Sequence, residues 1–341
     1  MTTDWFTHSC FVPRDTRETV GRAIDRYVDQ ARESLLSLPG PPRDLYLSGS
    51  LSRREPSVAG LSLASDVDFV LVSESRDAGL LLEAKLKDDL NARFPTIDTT
   101  VFTVQADQLA SVRGLFGSDL HRSLGSPVVA RLDTPQARKP FGGPQEVFEV
   151  FAHVMSNTLL GASSPAKLAL EGLRCALSPL LPTVPSCGDV HRHGHLLAPL
   201  FDQDTVDGIV MAREVGTELG GMRAYDHLLA CLSAFFLGPA HTSSEGLVLA
   251  EIKARIGEVD GLMNKYQLSL PLAFVLTESG HQEMREAALG LLSLIWRTRL
   301  TPDTAIRHLF AQRSDYYRLL SAHNFGRSRS ADYVAIRHHA S

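Results

Sequence analysis

The chain has 341 residues, 44% of them apolar, which is enough for one large domain or two ordinary ones with a real core and too much for a disordered protein. A formal charge of -5 excludes a broadly basic surface, so no stable nucleic-acid binding is expected. No apolar run reaches membrane-spanning length and the start MTTDWFTHSCFVPRDT lacks a secretory pattern, so the expectation is no membrane and a cytoplasmic location.

The first element is a helix from Thr16 to Leu38. Val20, Ala23, Ile24, Tyr27, Ala31, Leu35 and Leu38 keep helical spacing, and the run Pro39-Gly40-Pro41-Pro42 stops it. A strand from Asp44 to Leu47 follows and ends at Ser48-Gly49-Ser50. A second strand, Val67 to Val72, is almost continuously apolar, as expected when both faces are covered. A helix from Asp77 to Phe94 is closed by Pro95, and a third strand runs from Thr96 to Val104. Beyond about Pro140 long helical patterns take over, with LPTVPSCGDVHRHGH as a loop between them. The chain therefore divides into an α/β (α+β) core with a mixed sheet over 1–140, an all-helical domain over 141–325, and a loose tail over 326–341.

Asp66 and Asp68 head the second strand. Residues two apart in a strand share a face, so the two carboxylates project together and repel unless a cation sits between them. A hard divalent ion such as Mg²⁺ takes oxygen ligands and suits the pair. Asp98, in the third strand, joins the cluster if that strand lies beside the second. Three carboxylates can hold two metals for in-line phosphoryl displacement. Gly49 has no Cβ, so a phosphate can approach its backbone, and Ser50 offers a hydroxyl. A helix starting after Ser50 would add free N–H groups.

Taken together, Gly49-Ser50, Asp66-x-Asp68 and the later Asp98 resemble the DNA polymerase beta-like nucleotidyltransferase superfamily. The stretch GSLSRRE…SDVD is closest to the protein adenylyl- and uridylyltransferase branch, whose Arg and Glu after the Gly pair and Ser before the first Asp are matched by Arg53, Glu55 and Ser65. The spacer PSVAGLSLAS between Glu55 and Asp66 is longer than in that branch.

The resemblance implies a nucleotidyltransferase-like catalytic domain over 1–140, a helical domain closing a nucleotide cleft, and an NTP held with its β/γ-phosphates on Gly49-Ser50. Asp66 and Asp68 would hold Mg²⁺ or Mn²⁺. All three aspartates would hold a second ion, with Asp98 also as general base. It implies an NTP-dependent transferase that moves an NMP to a hydroxyl of a small molecule or protein and releases pyrophosphate. In relatives a basic residue of the helical domain reaches the triphosphate. Lys167 fits that place, with Arg174 on the same helix side. Two alternatives stand: a nucleotide second-messenger (oligonucleotide) synthase, and a non-catalytic nucleotide-binding sensor or antitoxin-type protein.

Other patterns carry less. His191, His193 and His195 alternate as metal-binding histidines can, but with Gly, Pro and Cys187 nearby they read as a surface loop. HQEMRE lacks the second histidine of a zinc protease, and no GxSxG, GxGxxG or GKS/GKT is present. Cys10, Cys175, Cys187 and Cys231 are scattered and read as reduced thiols.

Overall fold

Helix α1 (Arg14–Ser37) buries the stripe Val20, Ile24, Tyr27, Ala31 and Leu35, and the proline-rich turn after it leads into β1 (Arg43–Leu47). A single helical turn, α2 (Gly49–Ser52), is followed by the short strands β2 (Val58–Ala59) and β3 (Ser62–Leu63). Next come β4 (Val67–Ser73), α3 (Arg76–Arg93), β5 (Thr99–Gln105), a 3₁₀ turn (Ala106–Ser111) and α4 (Gly114–Ser123). The computed structural model describes residues 3–112, 114–132, 143–161, 163–219, 223–241, 243–257 and 259–324. The expected boundary at 140/141 and the expected tail at 326–341 lie outside the described residues.

The protein is mixed α/β. Its main sheet has the order β1-β4-β5, with β1 antiparallel and β5 parallel to the central β4. Period two splits the side chains between two faces. Leu45, Leu47, Phe69, Leu71 and Val101 pack on α1 and α3, while Tyr46, Val70, Val72 and Val104 pack with Leu120 of α4 and with Leu124 just after it. Asp66 and Asp68 share parity with Val70 and Val72. The α4 side is therefore the one on which the acidic pair emerges.

Helices fill the rest of the chain: α5 (Pro144–Leu159), α6 (Pro165–Leu177), α7 (Cys187–His193), α8 (Gln203–Val215), α9 (Ala224–Leu237), α10 (Glu245–Ile256), α11 (Leu262–Glu278), α12 (Gln282–Trp296) and α13 (Pro302–Asn324). From Leu168 to Leu177 every residue of α6 is buried, and α11 is buried from Met263 to Leu276 except Lys265. Helices buried on every side belong at the centre of a bundle. Here α6 packs between α5 and α9, and α11 packs against α12 and α13. Helices α5 and α13 also touch α4, which brings the bundle against the acidic face of the sheet.

Two expected elements change. CGDVHRH is helix α7 rather than loop: Ser186 and Asp189 form a reciprocal capping box that starts it. The third strand begins at Thr99 instead of Thr96, because Ile97 N–H closes a turn onto Phe94 O. Among the described residues no helix is long and apolar enough to cross a membrane.

Candidate functional site

The Gly-Ser turn and the acidic pair meet because β1 and β4 are antiparallel. Leu47 pairs with Phe69, so the end of β1 lies beside the start of β4, and Ser48 N–H donates to Asp68 O at 2.8 Å. Gly49 has φ +61, in the left-handed region that favours glycine. A Cβ there would run into Asp68 Oδ2. The glycine is thus fixed twice, by backbone and by contact. The helix after the turn spans only Gly49–Ser52, so it is one turn without an extended dipole.

A cleft of about 390 Å³ opens at this point. The α/β part lines it with Ser48, Gly49, Ser50, Arg53, Asp66 and Asp68, and with Thr100 and Phe102 from β5. Asp119 of α4 lines it too, with Glu149 and His153 of α5, Lys167 and Glu171 of α6, Arg213 of α8 and Tyr317 of α13. Among the described residues the buried hydroxyls of Ser48 and Ser50 and Oδ1 of Asp119 have no hydrogen-bond partner. Burial pushes the Asp68 carboxyl up to about 7, neighbouring Asp66 adds to the rise, and Arg53 and Lys167 pull against it.

The expected site residues divide into three sets. Gly49, Ser50, Asp66, Asp68 and Lys167 line the cleft together. Arg53 lines it but is already engaged: Nε donates to Glu55 Oε1 at 2.7 Å and Nη1 to Asp119. Asp98, Ser65 and Arg174 do not line it.

Asp98 is exposed, one residue short of β5, and its carbonyl accepts from Val67 N–H at 2.8 Å. Thr100 is the residue that pairs with Asp68. Ser65 closes the base of the β2–β3 hairpin, its Oγ accepting from Ser57 N–H at 2.8 Å. The long spacer is this hairpin. Arg174 is buried and bonds Glu55 at 2.5 Å and Glu171 at 2.7 Å. His191 sits 2.7 Å from Asp207 and lies with His193 and His195 outside the cleft.

The chain Asp119–Arg53–Glu55–Arg174–Glu171 is a continuous buried ion ladder. Glu55 also accepts from Cys187 N–H at 2.7 Å, at the start of α7. Burial raises the Glu55 carboxyl, but Arg174 and Arg53 outweigh it and hold the group at about 2.

Asp119, Glu149 and Arg213 escaped the sequence reading. They reach the cleft only through helix packing, and no local pattern marks them.

The donor set fits one hard cation with a polyphosphate. Mg²⁺ is commonly held by one or two carboxylates together with substrate phosphates. Asp66 and Asp68 supply the first, and Ser48 and Ser50, whose buried hydroxyls have no partner among the described residues, line the same cleft. Among the described residues no group of three or more His, Cys, Asp or Glu is placed to hold a metal.

Comparison with protein-family models, curated proteins and solved structures returns no match.

Proposed function

We propose that the chain is a metal-dependent nucleotidyltransferase of the DNA polymerase beta-like type. It would move an NMP from an NTP to a hydroxyl of a small molecule or protein and release pyrophosphate. One observation carries the reading: the Gly49-Ser50 turn and the Asp66/Asp68 pair, separate in sequence, line one cleft, with Gly49 packed against Asp68 so closely that no side chain fits.

Each residue then has a task. Gly49 lets the phosphates lie against the backbone, and the Ser48 and Ser50 hydroxyls donate to phosphate oxygens. Asp66 and Asp68 would hold Mg²⁺ or Mn²⁺, which when bound neutralises triphosphate charge and favours pyrophosphate as leaving group. Lys167 brings positive charge to the same space. The acceptor oxygen forms a bond to the α-phosphorus, the bond from that phosphorus to the bridging oxygen breaks, and the acceptor proton passes to a cleft carboxylate. Positioning and charge neutralisation supply the rate enhancement.

The test is transfer of label from α-labelled ATP, GTP, CTP and UTP with Mg²⁺ or Mn²⁺, using a cell extract as acceptor source. Label should move to a product with the native chain and not with Asp66→Asn or Asp68→Asn. Transfer that survives in both variants overturns the mechanism.

A second reading has its own observation. Thr100, not a carboxylate, faces Asp68 from the neighbouring strand. A nucleotide-binding sensor without transfer would need only the two aspartates. Tight metal-dependent NTP binding without pyrophosphate release would favour it.

A further inference from the structure

A second and larger recess lies in the helical part. It is an open groove of about 1380 Å³ where the starts of α8, α9, α10 and α12 come together. It shares no lining residue with the cleft. Asp202, the N-cap of α8, lies on the groove, and Arg213, in the last turn of the same helix, lies on the cleft. Roughly 16 Å of helix separates the two.

Five carboxylates line the groove: Asp202, Asp226, Glu245, Glu283 and Glu286. Among the described residues none of the five is in an ion pair, and no Lys or Arg lines the groove. Acidic first turns complement helix dipoles, which explains a carboxylate at the start of each helix. It does not explain four such starts gathered at one groove with no basic side chain between them.

His227, in the first turn of α9, lines the same groove and is only 2% exposed. Its Nε2 donates to Ala169 O at 2.8 Å, and Cys231 Sγ lies 3.4 Å from that nitrogen. The proton is thus fixed on Nε2, and Nδ1 is an acceptor. Burial pulls the ring down to about 4, so it stays neutral at physiological pH. Nδ1 has no partner among the described residues. Nε2 is turned inward onto α6, which contributes nothing to the groove, so Nδ1 is the nitrogen left to it. Phe201, its ring centroid 5.0 Å from that of His227, adds an aromatic face of the kind that attracts cations.

The groove therefore lacks N–H donors that carry positive charge. A single metal ion does not meet that need, because among the described residues no group of three or more His, Cys, Asp or Glu is placed to hold one. The carboxylates stand on four elements, which suits a ligand with several cations along its length. Small-molecule pockets measure about 300–1,000 Å³ and enclose most of their ligand, whereas this groove is larger and open. Nucleic acid and anionic lipid would be repelled. We propose that the groove binds an extended Lys/Arg-rich segment of a partner protein, with His227 Nδ1 accepting from one of its cationic N–H groups. The inference does not depend on the chemistry of the cleft.

The experiment is fluorescence anisotropy of a labelled peptide that alternates Arg with Ser, titrated with the full chain. The same peptide with Glu for Arg, and spermine, serve as competitors. The Arg peptide should bind and the Glu peptide should not displace it. Asp226 and Glu283 are exposed, so the double change Asp226→Asn with Glu283→Gln leaves the fold intact. It should weaken binding at least tenfold, about 1.4 kcal/mol. Asp66→Asn with Asp68→Asn removes the same charge from the cleft and should leave peptide affinity unchanged. His227→Gln keeps a donor for Ala169 O, removes the Nδ1 acceptor and should weaken binding about threefold or more. Its thermal midpoint, compared with that of the native chain, separates lost contact from unfolding.

Equal weakening by the two double variants would reduce the effect to net charge and overturn the site. An Arg peptide that fails to bind the native chain overturns it too. Spermine that displaces the peptide mole for mole would make the groove a small-molecule site and overturn the protein partner.

Discussion

Glu55 Oε1 accepts a 2.5 Å hydrogen bond from Arg174 Nη2 across 119 residues of sequence, with both side chains almost fully buried. This bond joins the motif-bearing part of the chain to the centre of the helical bundle. Removing one partner of a buried ion pair leaves a charge without compensation. Glu55→Ala should cost about 3–5 kcal/mol in denaturant unfolding. The sign of its pH dependence follows from the carboxyl lying at about 2 instead of 4.5. The stabilisation is fully present above pH 4.5 and is lost as pH falls towards 2. Thermal midpoints taken at intervals between pH 6 and 2 should therefore converge for the native chain and the variant as acidity rises.

Gly49 and Gly60 separate backbone strain from site geometry. Both have positive φ, +61 and +58, but a Cβ at Gly60 meets nothing within 4 Å, whereas one at Gly49 strikes Asp68. Each change to Ala should cost about 1–2 kcal/mol for the left-handed backbone. Gly49→Ala alone should also abolish metal-dependent NTP binding, measured by calorimetry, while Gly60→Ala leaves it unchanged.

Ligand linkage gives a third outcome. If Asp66 and Asp68 carry the metal, Mg²⁺ with an NTP at a hundred times its dissociation constant should stabilise the native chain by about 2.7 kcal/mol. EDTA should remove the effect, and Asp68→Asn should never show it. Differential scanning fluorimetry reads all three conditions.

Glu149 should respond in the direction opposite to Glu55. Burial pushes its carboxyl well above 4.5, with Glu146 adding to the rise. The folded chain then holds this proton more tightly than the unfolded chain, so stability falls as pH rises above 4.5. Glu149→Gln removes that dependence. Its thermal midpoint relative to the native chain should climb steadily from pH 5 to 8 in the ligand-free protein.

The strands that build the site were legible because their apolar runs are short and unbroken and because period two places Asp66 and Asp68 on one face. Ser186 and Asp189 also carried a readable signal, the capping pattern that starts α7, although the surrounding Gly and Pro suggested a loop. The position of Asp98 was not legible. It depended on where β5 begins, and a turn at Phe94–Ile97 moves that start by three residues. Ser65 and Arg174 have the residue types of ligand-binding groups. Ser57 meets Ser65 across the base of a hairpin, and Glu55 reaches Arg174 from the stretch after α2, 119 residues away in sequence. Asp119 and Arg213 depend wholly on such long-range packing, which no local spacing encodes.

The β2–β3 hairpin carries one more consequence. Its base is clasped by Ser57 and Ser65, while Leu61 at the tip is 63% exposed. The separation of the Gly49 turn from Asp66 and Asp68 is set by the pairing of β1 with β4, not by the length of chain between them. The tip is therefore a free parameter of the architecture. Residues added between Gly60 and Leu61, such as an epitope or a fluorophore-accepting peptide, would project away from the clasp and leave the cleft dimensions as they are.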